Sequence, residues 1–149
     1  MLTRALSTYE GFATQTGATR ADSIAFATAL FAARDYRRSR EWWQRLAARD
    51  TSGAAQRQLT YLAAREGDRE QAMGESEQWT VNPPPFNPGV VSYRRALVAA
   101  DLGDKPRAIA LLRQAFAEGY AFGVGYHREI HLQSIWNEPG FQDLMRPKD

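Results

Sequence analysis

Apolar residues return along this chain at the spacing of helix faces, and each run is closed by a residue that ends helices or begins them. Leu2, Leu6, Tyr9 and Phe12 share one helical face, and Gly17 and Thr19 end the segment. Thr19-Arg20-Ala21-Asp22 has the form of a capping box, so a helix is expected to start there with Phe26, Ala27 and Leu30 inward. Asp35 can cap a further helix at the positive end of its dipole, and Trp42, Trp43, Leu46 and Ala47 give that helix a bulky face. From about Ala54 to Thr80, Leu59, Leu62 and Ala63 point inward on one helix and Ala72 and Trp79 on the next, with Gly67-Asp68 as the turn. Val90 to Gly119 repeats the arrangement around Leu102-Gly103-Asp104, with Ala108, Leu111, Leu112, Ala115 and Phe116 on the second arm.

These blocks form a series. Tyr9, Trp43, Ser76 and Leu112 occupy matching positions and stand 34, 33 and 36 residues apart, a period that means stacked helical hairpins. The predicted organisation is a single domain: an unpaired second helix over 1–17, repeats over 19–51, 53–82 and 90–119, and a C-terminal cap over 120–149. Asn82-Pro83-Pro84-Pro85-Phe86-Asn87-Pro88-Gly89 cannot be helical, because Pro lacks the N–H and disfavours helix before it, so 83–89 is read as a stiff connector. A repeat stack needs an end piece over its last apolar face, and Ile130, Ile135, Trp136, Phe141 and Leu144 are assigned to it, with a short helix near Tyr126 to Trp136 and another from Pro139 to Met145. Since 1–17 has no first helix before it, the chain is expected to be a piece of a longer protein.

At the turns, Ala33-Arg34-Asp35-Tyr36, Glu66-Gly67-Asp68 and Leu102-Gly103-Asp104 are followed by small Ser39, Ala72 and Ala108. In this the chain resembles tetratricopeptide (TPR) repeats over about residues 1–120. Ala27, Thr60 and Ala96 take the family's small position on the first helix, Arg95 stands where the family has a large apolar residue, and only Pro84 matches the end-of-repeat proline. The resemblance implies an all-α fold, a right-handed superhelical stack of antiparallel hairpins. It also implies a concave groove lined by the first helix of each pair: Ile24, Thr28 and Phe31, then Arg57, Gln58, Tyr61 and Arg65, then Tyr93, Arg94, Leu97 and Asp101. Arg57, Tyr61 and Arg65 are four apart and share a helix face.

Guanidinium groups hold carboxylates in bidentate fashion and tyrosine adds area and a hydroxyl, so the expected partner is a protein or peptide with acidic side chains or a free C-terminal carboxylate. The expected peptide-binding residues are Arg57, Gln58, Tyr61, Arg65, Tyr93, Arg94 and Leu97. Set against this, such arginines are commonly solvated or paired with neighbouring acids. The Lys and Asn positions of the family's chaperone-tail clamp hold Ile24, Thr28, Gln58 and Val90 here, leaving Arg94 alone, so chaperone binding is not expected. From Glu118-Gly119-Tyr120 to Glu138-Pro139-Gly140-Phe141-Gln142-Asp143-Leu144 the chain is similar to the ends of TPR regions in bacterial signalling proteins. That similarity implies an alternative role, as a regulatory or sensory segment of a Ser/Thr kinase, adenylate cyclase or winged-helix regulator.

Composition narrows the rest. With 149 residues, 44% hydrophobic and 24% charged, the chain is of ordinary globular make-up. It has no cysteine, hence no disulfide or thiolate chemistry, and no run of about 18 apolar residues to span a membrane. The first residues do not read as a secretory signal, which favours the cytoplasm. A net charge of +2 is too small for strong counterion-driven nucleic-acid binding, and no aromatic platform accompanies Arg37, Arg38 and Arg40. His127-Arg128-Glu129-Ile130-His131 would put two imidazoles on one helix face, but it lacks a third ligand and is not HExxH, so no metal is expected. Gly123-Val124-Gly125 follows no strand and reads as a bend. No carboxylate pair or Ser/His/Asp set falls into one pocket, so neither an enzyme nor a cofactor is expected; the oligomeric state is not in the sequence.

Overall fold

Three aspartates start helices in the same way. In the computed structural model, which describes residues 2–80, 87–121 and 123–146, the carboxylates of Asp35, Asp68 and Asp104 accept the backbone N–H of Arg38, Gln71 and Arg107 at 3.2, 3.0 and 3.4 Å. Each aspartate's own N–H closes back on the preceding helix, reaching the carbonyls of Leu30, Ala63 and Ala99 at 2.9, 2.9 and 2.8 Å. Such closure needs a left-handed residue just before the aspartate, and Arg34, Gly67 and Gly103 supply it with φ of 62°, 85° and 75°. The turn is thus the same three times, although arginine replaces glycine at the first.

The helices are α1 (Leu2–Thr14), α2 (Arg20–Ala32), α3 (Tyr36–Ala47), α4 (Ala54–Glu66), α5 (Arg69–Glu77), α6 (Val90–Asp101), α7 (Lys105–Ala117) and α8 (Pro139–Met145), with 3-10 turns at Gln78–Thr80, Val124–Arg128 and Ile130–Ile135. No strand occurs among the described residues, and no helix among them is long and apolar enough to cross a membrane. The all-α expectation therefore holds. The small positions read from the repeat are all fully buried: Ala27, Thr60 and Ala96 on the first helices and Ser39, Ala72 and Ala108 on the second. Ser39 Oγ donates to the Ala27 carbonyl at 2.8 Å, so the small pair also lets a hydroxyl bridge α2 and α3. Most of the connector, 81–86 including Pro84, lies outside the described residues, as does the side chain of Leu2.

The chain divides into two compact units, Met1–Leu62 and Ala63–Asp149, the boundary falling within α4. In the first, α2 packs on α1 and α3 around Phe26, Leu30 and Ala13, with Leu6 and Trp42 against them. Trp42 meets Phe26 edge-on at 5.3 Å, and the Arg38 guanidinium lies over the other ring at 5.4 Å while pairing with Glu10 at 2.5 Å. The capping box at Thr19 and Asp22 forms in full. Aligned on the period, Tyr9 and Phe12 take the aromatic and inner-face positions of a second helix, yet they are 42% and 50% exposed. The face of α1 turned to its neighbours is Leu6, Glu10 and Ala13, which brings Glu10 to Arg38 and leaves Tyr9 and Phe12 outside.

In the second unit α6 and α7 form the most closely packed pair, and the 3-10 turn Ile130–Ile135 lies against both. Ala72, Ala99, Leu112, Leu132, Ile135 and Phe141 make much of its core. Of the expected cap residues, Ile135 and Phe141 are buried, while Ile130, Trp136 and Leu144 are half-buried. The cap is not one helix over Tyr126 to Trp136: Glu129 is extended, with ψ of 111°, and splits it into two 3-10 turns. Trp79 likewise sits half-buried in a 3-10 turn. Arg95, out of pattern for the TPR resemblance, donates to the carbonyls of Ser76 and Glu77 at 3.0 and 2.7 Å, so a guanidinium caps the end of α5 where an apolar residue was expected.

Candidate partner-binding surface

On α6, Tyr93, Leu97 and Asp101 stand four apart and form one face. The resemblance assigns that face to an open groove, but Tyr120, Tyr126 and the 3-10 turn Ile130–Ile135 of the same chain cover it. Tyr120 stacks on Tyr93 with ring centroids 4.5 Å apart, and Tyr126 meets Tyr93 edge-on at 5.6 Å. Leu97 is 5% exposed. Further along, Ser134 Oγ donates to the Ala100 carbonyl at 2.8 Å, and Trp136 Nε1 donates to the Tyr126 carbonyl at 3.2 Å. Of the predicted groove residues on α6, Tyr93 and Leu97 thus meet the chain itself; half-buried Arg94 sets its charge near Tyr120, whose phenol burial pushes up against the opposing pull of that charge.

The most deeply held contact is electrostatic. The Asp101 carboxylate is fully buried and meets Arg65 Nε and His131 Nδ1, each at 2.6 Å. Arg65 reaches on to the Ile130 carbonyl at 2.7 Å, and Glu129 accepts from the Tyr93 hydroxyl at 3.3 Å. Burial pushes the Asp101 carboxyl above its ordinary range, against the pull of His131 and Arg65 toward the anion. Burial also raises the neighbouring phenols: Tyr126 to about 12, and Tyr93 upward as well, with the Glu129 charge adding to it. A carboxylate on an imidazole can serve general-base chemistry when the imidazole faces a substrate. Here the pair is shut in, with 0% and 9% of the two side chains exposed, and its bonds fasten an irregular segment to a helix.

Arg65 is therefore an internal ion-pair partner and not a free groove cation. On the rest of α4, Arg57 and Gln58 are half-buried and Tyr61 is 5% exposed, engaged by neighbours within the chain. Tyr61, expected among the binding residues, is thus a buried side chain. The histidines part company across the extended Glu129. His131 turns in to Asp101, whereas His127 is exposed with its ring edge-on to Phe141 at 6.0 Å, so the two imidazoles do not share a face.

The unit 1–62 offers open surface. One cleft of about 410 Å³ lies between α1 and α2, lined by Leu6, Tyr9, Thr28 and alanines. Thr28 is the one predicted groove residue that opens onto it, its own hydroxyl bonded back to the Ile24 carbonyl at 2.8 Å. Phe31, also assigned to the groove, is buried against Tyr36 with centroids 5.6 Å apart. A second cleft, of about 580 Å³, lies between the start of α2 and the last turns of α3. The sequence reading passed over both. The signal for the second was present in Trp42, Arg45 and Leu46, which put a cation beside two large apolar groups at the end of α3, with Arg49 just after it. Comparison with known proteins adds no relative: no family model, no curated protein and no solved structure matches the chain.

Proposed function

We propose that this chain is a non-catalytic protein-interaction module of tetratricopeptide-like hairpins stacked as a right-handed superhelix, which holds a segment of a partner protein against a helix face. The observation that carries this reading is the covered face of α6. There a helix of this chain receives a segment of short 3-10 turns through tyrosine stacking, an Arg65 bond to a main-chain carbonyl and a buried carboxylate. These are the interactions by which a groove would take a partner peptide. The turn geometry shared by Asp35, Asp68 and Asp104, with fully buried small residues at the matching positions, supports the repeat half of the reading.

Because the α6 face is already filled, the partner is assigned to the unit 1–62, where Tyr9 and Phe12 are exposed and the clefts lie open. Selection of random peptides displayed on phage against the intact chain tests the reading. Selected peptides are expected to bind saturably and to move backbone amide resonances within 1–62. Peptides that bind only by displacing 120–136, or no enrichment over an unrelated helical protein, would count against it.

A further inference from the structure

The cleft between α2 and α3 combines an apolar floor with uncommitted positive charge. Trp42, Arg45 and Leu46 lie on the last turns of α3 and Arg49 in the turn just after it, while Arg20 and Ser23 of the first turn of α2 form the opposite wall. No carboxylate is among the lining residues. Of the three guanidiniums, Arg20 pairs with Asp50 at 3.0 Å. Arg45 lies over the Trp42 ring at 5.2 Å, and neither it nor Arg49 has an ion-pair partner among the described residues. Asp22, the nearest acid along α2, is fixed in the capping box by Thr19, which lowers its carboxyl and turns it to the backbone.

We infer that this cleft binds the C-terminal residue of a partner peptide, its free carboxylate on Arg45 and Arg49 and its large apolar side chain on Trp42 and Leu46. The argument is one of matching. An acidic side chain brings a carboxylate without an apolar body, and an internal apolar residue brings the body without the charge; a C-terminal apolar residue presents both from one α-carbon. Two guanidiniums that line one cleft can share one carboxylate in charge-assisted hydrogen bonds. The volume of about 580 Å³ suits one residue with its flanking peptide groups. The inference rests on the interaction-module reading and specifies which end of the partner that module takes.

The test uses the intact chain and N-acetylated Gly-Ser-Gly-Ser-Gly-Phe, once with a free carboxylate and once as the amide, with the indole N–H resonance of Trp42 followed during titration. The free acid is expected to shift that resonance saturably, and the amide to bind about tenfold more weakly or worse. Arg49→Gln is expected to weaken the acid by about tenfold, and Arg37→Gln, an exposed change elsewhere on α3, to leave it alone. Acid and amide titrating alike, or a Trp42 resonance that does not move, would overturn the inference. If phage-selected peptides instead move Tyr9 and Thr28 and leave Trp42 still, this inference falls while the interaction-module reading stands.

Discussion

The pairs α2–α3 and α6–α7 begin from the same turn and put their first helices to opposite use. In 63–149 the face of α6 is closed by Tyr120, Tyr126 and the 3-10 turn Ile130–Ile135, and the contact is anchored by a carboxylate with no solvent exposure. In 1–62 the carboxylates serve as local caps: Asp22 closes the first turn of α2, and Asp50 accepts from Ala55 N–H, Ser52 and Arg20. Exposed aromatics and two clefts remain beside them. A repeated turn thus determines how two helices pair, while the chain that follows determines whether their outer face is covered.

The largest expected effect is at Asp101. Asp101→Ala leaves the buried Arg65 and His131 donors without their acceptor, which should cost about 3–5 kcal/mol in urea unfolding. Asp101→Asn keeps an oxygen for one of them and should cost less. Hydrogen exchange on the alanine variant should show the loss in 120–136 and α6, with protection in α2 unchanged; equal loss in both units would break the comparison.

Gly89→Ala should come next. Gly89 has φ of 74°, and an added Cβ would collide with the Ala115 carbonyl oxygen and meet Tyr120 Cβ at 2.9 Å. Left-handed strain together with that clash should cost at least about 1–2 kcal/mol, read as a lowered urea midpoint.

The two units should also respond to opposite ends of the pH scale. Asp50 is held well below its ordinary value, chiefly by the Ala55 N–H and then by Ser52, and Asp22 is lowered by Thr19. A lowered folded value means stabilisation that is complete above the unfolded value of 3.8 and is lost as pH falls through the folded value, so 1–62 should loosen in acid. Asp101, raised by burial, works in the other sense: its ionisation opposes folding, and that opposition lifts as pH falls. The raised phenols stabilise fully below 10.0 and lose that contribution as pH rises through the folded values, about 12 for Tyr126, so 120–136 should loosen in alkali. Amide exchange quenched from acid and from alkaline buffers would read both limbs.

The smallest effect is a gain. Arg34 carries φ of 62° where the matching turns have glycine, so Arg34→Gly should stabilise the α2–α3 turn by about 1 kcal/mol, seen as a small rise in melting temperature.

Much of the hairpin design is legible in the sequence because it is local and periodic. A capping aspartate, the residue before it and a small residue at fixed distance can be read without knowing any tertiary contact, and Ala27, Ser39, Thr60, Ala72, Ala96 and Ala108 are buried where the period puts them. What the period could not supply was phase on an isolated helix and contacts made by irregular chain. Tyr9 and Phe12 were put on one face with Leu2 and Leu6 by their spacing, whereas the pairing of Glu10 with Arg38 accompanies a different phase. Arg65 and Tyr93 were assigned to a groove by the resemblance, but residues 120–136, which have no repeat, cover them. A hint was present nonetheless. Asp101 shares a face with Tyr93 and Leu97, and His131 sits between Ile130 and Leu132; a lone acid on an apolar face and a lone imidazole in an apolar run each need a partner to be buried.

The covered face of α6 is the feature on which both the contrast and the assignment of the partner to 1–62 depend, and aromatic nuclear Overhauser spectroscopy on the intact chain tests it most directly. Cross-peaks linking the ring protons of Tyr93 with those of Tyr120 and Tyr126 are expected, since the centroids lie 4.5 and 5.6 Å apart. Absence of those cross-peaks, with shifts for 120–136 matching those of an unstructured peptide, would contradict the account.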